Sequence, residues 1–127
     1  MQSQNETLAR RYIEEAVNKG DVAAIDDLVA TDFTEHDPYP GQGPGIEGEK
    51  QAVRNLRIAF PDLHLTIDEV IAEGEHVVIQ VTARGTQNGD FHGTPASGAP
   101  ITETQVHILR CVGGKCVEHW SEVNCSG

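Results

Sequence analysis

The side chains with the most chemical capacity lie near the C-terminal end: Gln105, His107, Trp120, Glu122 and Asn124. Imidazole and carboxylate are the groups that take and give protons near neutral pH, and amides supply fixed hydrogen bonds. These residues fall on two runs, 101–111 and 115–124, that flank Gly113-Gly114. A Gly-Gly link of two residues favours a tight primed hairpin turn, which fixes the pairing of the strands. Cys111 then faces Cys116, Leu109 faces Glu118, His107 faces Trp120, and Gln105 faces Glu122. Opposed residues share a face of the sheet. One face therefore carries Gln105, His107, Leu109, Trp120, Glu122 and Asn124, and the other carries Thr104, Val106, Ile108, Val117, His119 and Val123.

The first face is a polar mixture with one large aromatic, which suits the wall of a small-molecule pocket; a solvated face is the other reading. The second is mainly aliphatic, as expected of a surface packed on helices or on another subunit. A one-residue bulge would exchange the two faces beyond it. Cys111 and Cys116 are close enough in this register to bridge, but with Cys125 the cysteines are odd in number and lack zinc-ligand spacing. That favours free thiols in a reducing compartment.

The elements that must position these residues come earlier. Ser3-x-x-Glu6 reads as a capping box. Leu8, Tyr12 and Ala16, with Ala9, Ile13 and Val17, form an apolar stripe at helical spacing, and Gly20 ends it. Asp21 opens a second helix bearing Val22, Ile25, Leu28 and Val29. A third runs from about Glu47 to Phe60, stopped by Pro61. Between them, Phe33 to Asp37 reads as extended, and Tyr39 to Gly45 as a Pro/Gly-rich loop that could cover a pocket. After Pro61 the period changes from helical to two. Strands follow from Leu63 to Ile71 and from His76 to Arg84, then a loop from Gly85 to Pro100. Helices first and an antiparallel sheet after them make an α+β fold.

The chain has 127 residues, which suits one domain, 1–127. The net charge is −11, so a phosphate backbone or an anionic membrane is a poor partner. No apolar run reaches the length of a membrane span and the first residues do not read as a signal peptide, which leaves the cytoplasm as the expected location. His64, His76, His92 and His119 lack metal-ligand spacing, and no phosphate-cradling loop opens a helix.

Several segments resemble the SnoaL-like polyketide cyclases: TEHDP (34–38), AFPDLHLTIDEVIAEGEHVVIQ (59–80), GTQNGDFHGTPASGAPI (85–101) and GGKCVEHW (113–120). The resemblance covers nearly the whole chain, and the spacing of Gly93, Pro95 and Gly98 together with Glu118-His119-Trp120 is its most specific part. It implies the nuclear-transport-factor-2-like architecture, in which a strongly curved, mostly antiparallel sheet is wrapped by about three N-terminal helices into a cone with an internal pocket. It also implies a homodimer, no metal or organic cofactor, and a small hydrophobic organic molecule as ligand. In such cyclases a carboxylate on the last strands, assisted by a histidine, acts as general acid/base for an intramolecular aldol closure. Relatives often place Asp directly after the tryptophan; here that position is Ser121.

The carry-over therefore falls on Glu122 and His107 as the acid/base pair, diagonal across the hairpin. Asn124 and Gln105 would orient them, and Trp120 would meet a flat ligand or be a buried structural residue. His36 is a candidate at the pocket mouth, and Asp37 reads as a turn carboxylate before Pro38. Tyr12 and Phe33 are either pocket lining or ordinary core. Three functions fit: cofactor-independent acid/base chemistry on a hydrophobic carbonyl compound (cyclisation, isomerisation or dehydration), non-catalytic binding of an apolar ligand, and epoxide hydrolysis. The last needs carboxylates around a pocket arginine, and Arg110 falls on the aliphatic face while Arg84 lies on the strand before it.

Overall fold

The computed structural model describes residues 3–39, 41–91 and 95–125, with 123–125 described by backbone alone. Helix α1 spans Gln4–Arg11, and the Ser3 hydroxyl accepts the Glu6 N–H at 3.1 Å, so the capping box forms its first half. The helix runs on without a break into wider π-type turns over Tyr12–Asn18. Leu8, Ala9, Tyr12, Ile13, Ala16 and Val17 are all buried, as the apolar stripe requires. The change to π winding was not visible in that spacing; such turns recur at functional sites because they re-aim side chains. Gly20 leaves the helix with φ +66°, a conformation that glycine adopts freely.

Helix α2 (Val22–Leu28) leads directly into strand β1 (Val29–Glu35), so the extended piece begins earlier than expected and Val29 is its first residue. Helix α3 spans Gly45–Ala59 and ends with the Phe60 N–H bonded to the Leu56 carbonyl at 2.9 Å, one residue before Pro61. Strands β2 (His64–Glu73), β3 (His76–Thr86), β4 (Pro100–Val112) and β5 (Lys115–Cys125) complete an open five-stranded sheet in the order β1-β5-β4-β3-β2. Three of its ladders are antiparallel and β1 pairs β5 in parallel, which makes the sheet mixed. The fold is α+β.

The core lies between the helices and one face of the sheet. On β3 the alternation is complete: Val77, Ile79, Val81 and Ala83 are buried, and Val78, Gln80 and Thr82 between them are only partly so. The Asn18 side chain ties the helices to the sheet, donating to the Leu65 carbonyl at 2.9 Å and accepting the Leu65 N–H at 2.7 Å. This satisfies both backbone groups of a buried residue, where leaving one unpaired would cost about 1–3 kcal/mol.

The last hairpin departs from the expected register. Gly113 and Gly114 both have positive φ, 61° and 79°, as a primed turn requires, and Cys111 does face Cys116. Arg110, however, faces Glu118, which leaves Val117 as an extra residue on β5. This is a β-bulge, and it moves every later β5 side chain to the opposite face. Leu109 thus pairs with His119, His107 with Ser121, and Val106 with Glu122. Cys111 and Cys116 are free, buried thiols.

Candidate active site

Between the helices and the inner face of the sheet lies a cavity of about 360 Å³, the liquid volume of about a dozen waters. Val53 and Leu56 of α3, with Phe60 just after its end, form one wall, and Leu65 and Ile101 of the sheet form part of another. Phe91, from the loop between β3 and β4, closes against it with its ring edge-on to Phe60 at 5.4 Å and to Tyr39 at 5.5 Å. Most of this lining is apolar, as a site for a hydrophobic molecule needs.

The polar side of the cavity is a line of hydrogen bonds that runs across three strands. Glu35, the last residue of β1, pairs by backbone register with His119 on β5, and its Oε1 lies 2.6 Å from His119 Nδ1. His119 Nε2 lies 2.9 Å from Nδ1 of His107 on β4. The far nitrogen of His107, Nε2, is 2.9 Å from Gln105 Oε1, and the Gln105 amide in turn donates to Glu103 at 3.3 Å. Burial, aided by the neighbouring His119 ring, lowers the His107 pKa to about 3, with Glu35 partly offsetting it. At neutral pH His107 is therefore an uncharged imidazole. It donates from Nε2 to Gln105 and accepts at Nδ1 from His119. Burial alone would push Glu35 up, but the bond to His119, that ring's charge, Glu49 and the Asp37 N–H outweigh it and hold the carboxyl below its usual range.

Glu49 faces this line from helix α3. It is 4% exposed, and its carboxylate accepts the Tyr12 hydroxyl and, at 3.3 Å, the Gln42 amide. Burial pushes its pKa up to about 7; Glu35 adds to the rise, while Tyr12 opposes it. Gln42 reaches Glu49 because the loop before α3 lies directly on the helix. A Cβ on Gly48 would come within 1.7 Å of the Gly43 carbonyl oxygen, so that approach requires glycine at position 48.

The structure distributes the sequence-derived candidates unevenly. His107, Gln105 and Tyr12 line the cavity. Phe33 is 5% exposed and packs in the core without lining the cavity. The expected Glu122–His107 pair does not form, because the Val117 bulge places Glu122 opposite Val106 on the outer face, where it is exposed. Trp120 is carried to the same outer face. His36 joins it there, its ring stacked on the indole at 4.5 Å and 6° and its Nε2 3.4 Å from Glu118. The side chain of Asn124 lies outside the described residues, as do His92 and Gly93 of the loop motif. Asp37 is the reverse case: it lines the cavity, and its carboxylate accepts the backbone N–H of Ser121 at 2.9 Å.

Sequence reasoning passed over Glu35, Glu49 and His119. His119 was lost to the register, since one extra residue put it on the wrong face. Glu35 stands inside the TEHDP segment, so the signal was present, but the resemblance drew attention to His36 and Asp37 of that segment instead. Glu49 had a weaker signal: a carboxylate one turn before Val53 on the apolar stripe of α3. Arg110 binds Glu118 at 2.5 Å and Glu75 at 3.1 Å on the outer face, and no lysine or arginine is among the described residues that line the cavity. The arrangement required for epoxide hydrolysis is thus not formed by these arginines.

A pocket of this kind, held between helices and a mixed sheet in an α+β fold, defines a small-molecule site of the nuclear-transport-factor-2-like class. The profile of SnoaL-like polyketide cyclases matches residues 7–127, and the chain belongs to that family. It is 30% identical over 118 residues to aklanonic acid methyl ester cyclase DnrD of Streptomyces peucetius, spanning 88% of this chain and 79% of that protein. Among solved structures, TsrD from Streptomyces laurentii superposes with a TM-score of 0.87 at 29% identity, covering 98% of this chain and 90% of that one. IdmH from Streptomyces antibioticus gives a TM-score of 0.81 at 28% identity, covering 96% and 93%.

Proposed function

We propose that this protein catalyses cofactor-independent acid/base chemistry on a neutral, hydrophobic carbonyl compound, with aldol cyclisation as the reaction. The observation that carries this reading is the meeting of two kinds of wall. An apolar cavity faces an uncharged imidazole, His107, flanked by the carboxyl groups of Glu35, Asp37, Glu49 and Glu103. Aldol closure needs a base to take a proton from the carbon next to a carbonyl, and a donor to hold the oxygen on which negative charge gathers. His107 suits the donor role, because a neutral imidazole can turn its Nε2–H from Gln105 to a substrate oxygen without first losing a proton to solvent. The carboxyl groups supply the base. The cyclase activity of the DnrD relative supports the same reaction type.

The lining also bears on substrate charge. With four carboxyl groups and neither lysine nor arginine among the described lining residues, a free carboxylate on the ligand would be desolvated beside groups of its own charge. Neutral or esterified compounds fit better. The protein would work as a cytoplasmic homodimer, with Val106, Ile108 and Trp120 on the outer sheet face available to a second subunit.

The test is deuterium uptake, followed by NMR, at the activated carbon of neutral aromatic 1,3-dicarbonyl compounds in heavy water. Uptake above the buffer rate, abolished in His107→Phe, is the expected result. Saturable binding with no uptake for any compound would replace the reading with that of a non-catalytic binding protein.

A further inference from the structure

We propose that Glu49 is the acid/base residue of this cavity: its carboxylate takes the proton from the substrate carbon and returns it to the oxygen of the newly closed ring. The inference rests on the acid/base reading above and names the group that performs it. Four observations converge on Glu49. It is 4% exposed yet lines the cavity, so it meets a ligand and not bulk water. It projects from the helix wall beside Val53 and Leu56, opposite the strand that carries His107, so a substrate between them would have a proton acceptor on one side and an oxygen-holding donor on the other. Its carboxylate is held in place by Tyr12 and Gln42. Ser121, the cavity-lining residue next to Trp120, has a hydroxyl that cannot act as a carboxylate base.

Every carboxyl group of the cavity takes part in hydrogen bonds, Glu49 with Tyr12, Gln42 and Glu35; what sets Glu49 apart is that it alone stands on the helix wall, while the others are tied to His119, Ser121 and Gln105 of the sheet. Glu35 is bound by His119 and by the Asp37 N–H at 3.2 Å. Asp37 accepts the Ser121 N–H, and Glu103 accepts the Gln105 amide. The titratable groups that face Glu49 are Tyr12 on the π-type turns, Glu35 on β1, Tyr39 in the loop before α3, and Cys116 and His119 on β5. Tyr12 is held well above its usual pKa by burial and by Glu49 itself, so it remains a donor throughout the working range. Burial and the hydrogen bond to Glu35 raise the Glu49 carboxyl to about 7, so the pair these two groups form has both base and acid forms near neutral pH, which is the condition for efficient proton shuttling.

The step balances without a co-reactant. The C–H proton passes to the Glu49 carboxylate, and the electron pair left on carbon forms the new C–C bond to a second carbonyl carbon. The π pair of that carbonyl moves onto its oxygen, which takes the proton back from Glu49. Nothing is oxidised or reduced.

The substitution that separates this role from a structural one is Glu49→Gln, whose carbonyl can still accept from Tyr12. Deuterium uptake from the dicarbonyl probe should fall at least about 100-fold in kcat with KM within about threefold. The rise of the wild-type rate with pH through about 7 should vanish with it. Glu49→Asp should recover part of the rate. Retention of most of the rate by a folded Glu49→Gln protein overturns the assignment of Glu49 while leaving the acid/base function intact. A wild type that takes up no deuterium overturns both. Should Glu49→Gln fail to fold, carbon-13 NMR of glutamate-labelled wild type decides: a carboxyl titrating near 7 and shifted by bound probe is expected, and glutamates that all titrate below about 5 refute the proposal.

Discussion

The two arms of the last hairpin make an instructive pair. On β4 the alternation read from sequence holds along the strand: Gln105, His107 and Leu109 face inward, and Val106 and Ile108 face outward. On β5 the same alternation is present but opposite in hand, because Val117 is an extra residue. His119 and Ser121 enter the cavity, while Trp120 and Glu122 leave it. The composition of both arms is equally suggestive of a site. What differs is the distance from the turn at which a single irregularity falls, and it decides which imidazole and which carboxylate reach the ligand.

The severest way to break this contrast is to insert one alanine between Val117 and Glu118. A second extra residue forces either a slip of β5, which turns His119 outward, or loss of the β4–β5 ladder. Unfolding, or a loss above about 3 kcal/mol in urea denaturation, is expected. Next in size is His119→Ala. It leaves the Glu35 carboxylate and His107 Nδ1 without their shared partner in a buried wall, at a cost of about 2–4 kcal/mol at pH 7 by the same measurement.

The helix wall yields a smaller, pH-dependent effect. Glu49 has a folded-state pKa above its unfolded value, so its contribution is present below about pH 4.5 and is lost as pH rises through about 7. Glu49→Gln should therefore gain stability relative to wild type between pH 5 and pH 8, on the order of 2 kcal/mol, seen as a Tm difference that becomes more positive with pH. A difference that is flat across that range would remove Glu49 from the buried, charge-averse position described here. The smallest expected effect is that of Glu122→Ala. On the outer, exposed face it should alter stability by less than about 0.5 kcal/mol and deuterium uptake by less than about twofold. A large loss of uptake would restore Glu122 to the site and contradict the bulged register.

Much of the molecule was legible from residue order. The capping box at Ser3, the stripe from Leu8 to Val17, the stop at Gly20, the third helix before Pro61 and the Gly113-Gly114 turn are all local signals, set by side-chain period and backbone preference within a few residues. They suffice for the α+β class and for the apolar stripes that make the core. The pocket's membership was legible only where one element could be read by itself, as with His107 and Gln105 on β4 and Tyr12 on the first helical stripe.

The remainder depended on contacts between distant segments. Glu35 and His119 are 84 positions apart and meet because β1 pairs β5 in parallel; Tyr12 and Glu49 are 37 apart and meet across the helix layer. Trp120 was carried to the outer face by the same bulge, and there His36, which follows β1, stacks on it. By itself the sequence determined the elements and their apolar faces, because those follow from short-range periodicity. Only the tertiary structure decided which polar side chains share the cavity, because strand register is a long-range property that one unpaired residue, Val117, is enough to reverse.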